Sequence, residues 1–392
     1  MKHVFKVLLN LLTIILASFM PVAVITQEEP STVYLGVTFC GDTVNEAKLL
    51  IDKVDAYTNL FVLQSGSIME NQSAINEICD YATGAGLNII VYFGWFDPDS
   101  QWQLSWLDYA QERWTDKFLG IYYSDEPAGR YLDYDWSDLF SEMKENYSAH
   151  YQIMAPAIDG YLNGTLPRDY EEAASRFVDL LQDNSCLKEL HKRSITAFTA
   201  DYALYWFDYL GGYDVVFAEF GWNNSVAQEI SLVRGAAKIQ DKDWGAIITW
   251  KYEKSPYLDT GEEIFTQMQT ALESGAKYIV LFNYPTLEDN PYGTLRDSHF
   301  EALEKTWDLI ESTPRTSQNS PDPENVLVLP ENYGYGMRSV QDKIWFWEPD
   351  EKCLEIWQLV RFMLNQEGLN LDIVYEHQDY PPANTYSTCL VA

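Results

Sequence analysis

The sequence predicts a (β/α)8 barrel followed by a small α/β unit. Between about residues 32 and 312, eight short apolar runs alternate with segments of helical period. The runs are almost continuously apolar, the pattern of parallel strands covered on both faces by helices. The first turn, Cys40-Gly41-Asp42-Thr43, lacks the glycine-rich phosphate loop that opens a doubly wound sheet. Eight such units favour closure into a barrel.

The elements follow in order. A strand at 33–39 leads to a helix at 44–56, with Ala47, Leu50, Ile51 and Val54 at helical spacing. The second strand is 60–63, and a helix over 69–83 ends at Gly84 and Gly86. The third strand covers 88–93, a helix 105–116, and the fourth strand 118–123. The spacing then lengthens. Residues 128–168 hold a helix around 135–146 and a loop rich in Gly, Asn and Pro, before a helix over 169–190. The fifth strand is 194–198, and the aromatic run 202–210 is a helix wedged against the barrel. Strands at 214–218, 245–250 and 278–282 alternate with helices at 225–238, 261–274 and 298–311. Residues 313–325 are a linker by composition. The unit at 326–392 has strands at 326–329, 371–375 and 388–391 and a helix at 352–367. It is too small for a core of its own, so it should pack on the barrel, with Trp345 and Trp347 as the contact.

Composition limits the partners. The chain has 392 residues, 47% of them hydrophobic, and a formal charge of −33. Such a surface repels phosphate backbones and anionic lipid, which excludes nucleic acid as a partner and disfavours polyuronate or sulfated substrates. The same acidity also serves as a solubility or salt adaptation. Lys2 and Lys6 precede an apolar run from Val7 to Thr26, so residues 1–26 read as a signal peptide. The run is long and lacks a small-x-small cleavage site, which leaves an uncleaved membrane anchor as the alternative. Either way the chain is expected outside the cytoplasm, secreted or on the extracellular face of the membrane. Five cysteines form no C-x-x-C pair, and Cys353–Cys389 is a conceivable disulfide. Sequons at Asn71, Asn146, Asn163 and Asn223 should face water.

In such barrels chemistry sits at the C-terminal strand ends. Those ends are acidic and aromatic here. They supply Asp125 and Glu126 after the fourth strand, Asp201 and Tyr202 after the fifth, Glu219, Trp222 and Asn223 after the sixth, and Trp250 and Glu253 after the seventh. Trp95, Tyr123 and Asn283 belong to the third, fourth and eighth. Carboxyls crowded in one mouth raise one another's pKa, so one stays protonated while another ionises. Glycosidic hydrolysis needs that division. Pro127 should hold Glu126 extended. Aromatic faces suit the C–H surface of sugars, although for any single aromatic core packing is the plainer reading. Lys251 beside Glu253 reads as an ordinary ion pair. No histidine follows a barrel strand, so neither a metal nor a cofactor is expected.

Gly120-Ile121-Tyr122-Tyr123-Ser124-Asp125-Glu126-Pro127 resembles the fourth-strand signature of TIM-barrel glycoside hydrolases, whose Asn-Glu-Pro carries the acid/base glutamate. Glu126 and Pro127 match it, and Asp125 departs from its asparagine. The resemblance implies a nucleophile ending strand seven, where Glu253 lies two or three residues too far along. Glu219 is better placed, and a strand-four plus strand-six pair resembles the α-galactosidase-like barrels. The last unit resembles a fragment of a flavodoxin-like domain. The reading is a cofactor-free glycoside hydrolase. Its catalytic residues are Glu126, Glu219 and Asp125. Trp95, Tyr123, Asp201, Tyr202, Trp222, Asn223, Trp250, Glu253 and Asn283 are substrate contacts. The alternative is a non-catalytic carbohydrate-binding or structural protein on a degenerate barrel.

Overall fold

A computed structural model describes residues 32–94, 101–134, 160, 167–285, 290–313 and 322–392. The expected export segment, Trp95, the helix expected at 135–146, and the sequons at Asn146 and Asn163 lie outside the described residues.

Eight parallel strands close in sequence order, with the eighth paired to the first. They are β1 Tyr34–Phe39, β2 Leu60–Leu63, β3 Asn88–Phe93, β4 Phe118–Tyr123, β5 Ala197–Asp201, β6 Val215–Phe220, β7 Asp243–Ile248 and β8 Tyr278–Leu281. The intervening helices are α1 Val44–Val54, α2 Gln72–Gly84, α3 Gln101–Trp114, α4 Pro127–Asp133, α5 Tyr170–Gln182, α6 Ser185–Lys192, α7 Tyr205–Gly211, α8 Val226–Ile239, α9 Gly261–Glu273 and α10 Asp297–Ser312. Local chemistry starts them where it should. Thr43 with Glu46 and Thr260 with Glu263 close reciprocal capping boxes on α1 and α9.

Strand side chains alternate between two faces, so two cores form. Leu60, Val62, Ile90, Tyr122, Phe198, Phe217, Ile247 and Val280 fill the barrel interior. The alternate residues, such as Val37, Ile121, Ala218 and Ile248, meet the helices.

The structure moves several expected boundaries. Strand five begins three residues later than its apolar run suggests. Ser194, at φ 55, finishes the turn after α6, and its N–H bonds the His191 carbonyl. Strand six runs on through Glu219 and Phe220, while strand seven stops at Ile248. The helix expected at 169–190 is two, because Asn184 caps a new start with its side chain.

The C-terminal unit is a three-stranded parallel sheet of β9 Asn325–Leu329, β10 Leu371–Tyr375 and β11 Thr388–Val391, in the order β10-β9-β11, with helix α11 Glu351–Glu367. It packs on α8, which is consequently buried on almost every side. A Cβ at Gly235 would stand 2.8 Å from the Ile373 carbonyl oxygen, so only glycine permits this approach. Arg234 crosses the junction to Asp372 at 2.7 Å, and Asp372 also accepts from Tyr386. The Trp345 ring lies 4.6 Å from that of Phe207 and 5.8 Å from that of Phe177, the docking role its composition suggested. All five cysteines are free thiols. Cys353 is buried and Cys389 exposed, so the conceivable bridge between them is not formed.

Candidate active site

The C-terminal ends of β4, β5 and β6 bring four carboxyls together. Glu219 follows Phe217 by two residues, so strand alternation turns it into the barrel. It is almost buried. Burial and then the charges of Glu126, Asp125 and Asp201 raise its pKa well above the ordinary value.

Asp125 and Glu126 occupy a tight corner between β4 and α4. Ser124 and Glu126 have φ of 58° and 51°, left-handed values that bulky residues avoid. Pro127 does not hold Glu126 extended, as its sequence position suggested. Glu126 is instead the left-handed residue entering α4, and its N–H donates to the Ala200 carbonyl at 2.9 Å. Backbone strain of this kind concentrates at functional corners. Burial, then the Asp125 and Asp201 charges, push the Glu126 carboxyl up to about 7, against the opposing pull of Arg130. Asp125 accepts a hydrogen bond from the buried Tyr122 hydroxyl. Burial raises its pKa, and that bond and Arg130 oppose the rise.

Asp201 has a different position from the one expected. Its neighbour Ala200 faces the barrel interior, so Asp201 faces the helix layer and is fully buried. Its carboxyl accepts from the N–H groups of Ala128 at 2.7 Å, Gly129 at 2.8 Å, Tyr202 at 2.8 Å and Ala203 at 3.3 Å. It therefore anchors the start of α4 rather than offering itself to a sugar. Burial outweighs these donors and pushes it to about 7.

Other expected contacts divide by the same alternation. Tyr123 turns outward and packs with Ile121 in the helix-facing core, so it does not line the mouth. Trp250 lies just beyond β7, beside Phe282 and Tyr284, with ring centroids 5.4 and 5.5 Å away. Its carbonyl accepts from the Trp222 N–H at 2.7 Å, which brings the ends of β6 and β7 together. Trp222, Asn223 and Tyr284 are exposed. Asn283 is buried, and its amide oxygen accepts from Thr294 at 3.1 Å, holding the following loop. Glu253 is exposed five residues beyond β7, and Lys251 pairs with Asp259 at 3.6 Å instead of with it. Tyr202 donates to Asp133 at 2.7 Å.

Sequence reasoning missed Tyr122 and Tyr92, and it offered Gln64, at the end of the second strand, as a partner for sugar hydroxyls. Tyr122 and Tyr92 lie edge to face at 5.4 Å near Asp125, and Gln64 buries an amide oxygen with no partner among the described residues. Their even spacing from interior strand residues was the available signal. Among the described residues no group of three or more His, Cys, Asp or Glu is placed to hold a metal.

No protein-family model matches the sequence. No curated protein matches it. Solved structures similar to this chain include glycoside hydrolases and other barrel enzymes. α-L-Fucosidase isoenzyme 2 from Paenibacillus thiaminolyticus is 12% identical, over 91% of this chain and 60% of that one, with a TM-score of 0.49. A glycoside hydrolase family 17 β-1,3-glucanosyltransferase from Rhizomucor miehei is 10% identical, over 74% and 97%, at 0.39. 3-Hexulose-6-phosphate synthase from Salmonella typhimurium is 8% identical, over 70% and 99%, at 0.36. Hydrolases and a phosphosugar enzyme thus stand together at similar distance, and the closed strand order of this chain is what makes it a (β/α)8 barrel.

Proposed function

We propose that this protein is a glycoside hydrolase acting outside the cytoplasm on an uncharged carbohydrate. The observation that carries the reading is that Glu126 and Glu219 stand at the C-terminal ends of β4 and β6 at one barrel mouth, Glu126 raised to about 7 by burial and the Asp125 and Asp201 charges, and Glu219 raised by burial and the Glu126 charge. Such a pair holds one proton between its members near neutrality. Glu219, deeper and ringed by like charges, holds it more strongly and protonates the glycosidic oxygen as the C–O bond breaks. Glu126, ionised in a large fraction at pH 7, either attacks the anomeric carbon or takes a proton from the attacking water. This reverses the role that the signature resemblance implies for Glu126. Asp125, held by Tyr122, keeps the corner negative beside the developing oxocarbenium charge.

Trp250, Trp222 and Tyr284 supply apolar faces on the opposite side of the mouth from β4. The −33 charge favours a neutral sugar. The charged start and apolar run of residues 2–26 support export.

The test is a hydrolysis screen over a neutral glycan panel and aryl glycosides, with Glu126→Gln and Glu219→Gln. Each variant should lose about 10²–10⁴-fold on natural linkages. Aryl glycosides with acidic leaving groups should restore Glu219→Gln but not Glu126→Gln. Wild-type activity retained by both variants, or glycan binding without turnover by the wild type, would sink the reading.

A further inference from the structure

The C-terminal unit reaches the barrel mouth at one place. Arg338, in the loop after β9, donates to both oxygens of Asp133, at 2.8 and 2.9 Å. Asp133 is the last residue of α4, the seven-residue helix that Glu126 enters. The same guanidinium donates to Asp342 at 2.7 and 2.9 Å, which fixes it within its own loop. It also lies over the Tyr202 ring at 5.2 Å. Tyr202 donates to Asp133 at 2.7 Å and presses on Gly129 so closely that a Cβ there would stand 2.3 Å from its ring. Lys343 of the same loop reaches the Tyr134 carbonyl, just past the helix, at 3.4 Å.

Helix α4 is therefore held at both ends. The barrel holds its start through Asp201. The C-terminal unit holds its end through two cations, where a helix terminus favours positive charge. We propose that Arg338 is a positioning residue for Glu126, contributed by the C-terminal unit, which fixes the far end of α4 and neutralises Asp133 beside the site. This rests on the reading of Glu126 given above. It also gives the small unit a task at the barrel mouth that packing alone does not require.

The electrostatic consequence has a definite sign. Glu126 faces Asp125 from its own corner, Asp201 from β5, Glu219 from β6, and Arg130 and Asp133 from α4. Asp133 in turn faces Arg338, Tyr202 and Lys343, and Arg338 also faces Asp342 and Glu229. The Asp133 charge raises the Glu126 pKa. Removing Arg338 uncovers that charge, so the Glu126 pKa rises. Removing the Asp133 charge lowers it.

The experiment is a carbon-13 NMR titration of the Glu126 carboxyl in the full chain, with the resonance assigned through Glu126→Gln. In Arg338→Met the midpoint should move up by about half a pH unit, and in Asp133→Asn down by a similar amount. Arg338→Lys keeps the charge and should leave the midpoint in place. On a glycoside that the wild type cleaves, Arg338→Met should lower kcat about 10-fold with little change in KM, because a displaced helix misaligns the reacting carboxyl. Midpoints unchanged in both Arg338→Met and Asp133→Asn overturn the proposal. Asp133 is half exposed, so Asp133→Asn decides the matter even if the arginine variant does not fold. If the midpoints move but no glycoside is cleaved, the electrostatic link from Arg338 through Asp133 to Glu126 stands and the hydrolase reading fails.

Discussion

Glu229→Gln should make the protein more stable at alkaline pH than the wild type, the opposite of what losing a hydrogen-bonded carboxylate usually does. Glu229 is 2% exposed on α8 and accepts one hydrogen bond, from the Tyr205 hydroxyl at 2.6 Å. Burial pushes its pKa from 4.5 to about 8, and that bond and the charges of Arg338 and Arg361 only partly oppose the rise. A carboxyl raised in the folded state binds its proton more tightly there than in the unfolded chain. Stability is then full below pH 4.5 and falls as pH rises towards 8. With a folded pKa of about 8, linkage makes the wild type lose on the order of 3–4 kcal/mol between pH 5 and pH 8 through this group. Glutamine has the same shape and does not titrate. Its amide N–H groups lack an evident acceptor, at a cost of about 1 kcal/mol at every pH. The variant should therefore be slightly weaker at pH 5 and stronger by about 2–3 kcal/mol at pH 8. Denaturant unfolding of both proteins at pH 5, 6.5 and 8 measures the difference, in which all other titrating groups cancel. A difference that stays constant across the three pH values refutes the reasoning.

Gly129→Ala should be poorly tolerated, because its Cβ meets three Tyr202 ring atoms at 2.3–2.7 Å while Arg338 lies over the same ring. Overpacking of this kind costs about 1–3 kcal/mol, and hydrolysis should fall with it; unaltered melting and unaltered activity would show that α4 yields freely. Arg234→Met should destabilise by about 3–5 kcal/mol at neutral pH, because it strands Asp372 in a site with 0% exposure. Burial already raises the Asp372 pKa, so the deficit should shrink as pH falls and that carboxyl takes up a proton. Thermal melts at pH 5 and pH 8 read this directly, and an equal deficit at both excludes a stranded charge as the cause.

The barrel was legible in the linear sequence because apolar runs and helical periods are local properties. Each of the eight runs had to be covered on both faces, and eight such units without a glycine-rich turn after the first strand favour a closed parallel sheet wrapped by helices over an open doubly wound one. Glu126 and Glu219 were legible as candidates for the same reason, since both stand at the C-terminal ends of apolar runs, where a barrel has its mouth. What the sequence could not settle was strand phase. A boundary error of one residue exchanges the two faces of a strand, and this is why Tyr123 and Asp201 were expected in the mouth and lie in the helix layer. Tyr122, one residue from Tyr123, faces the site instead. Contacts between residues far apart in the chain were likewise beyond local patterns. Nothing near Arg338 signals Asp133, 205 residues earlier, nor does anything near Asp372 signal Arg234. Length and period chose the architecture. Only packing in three dimensions decided which carboxyls share the mouth, and which one instead anchors the helix that presents Glu126.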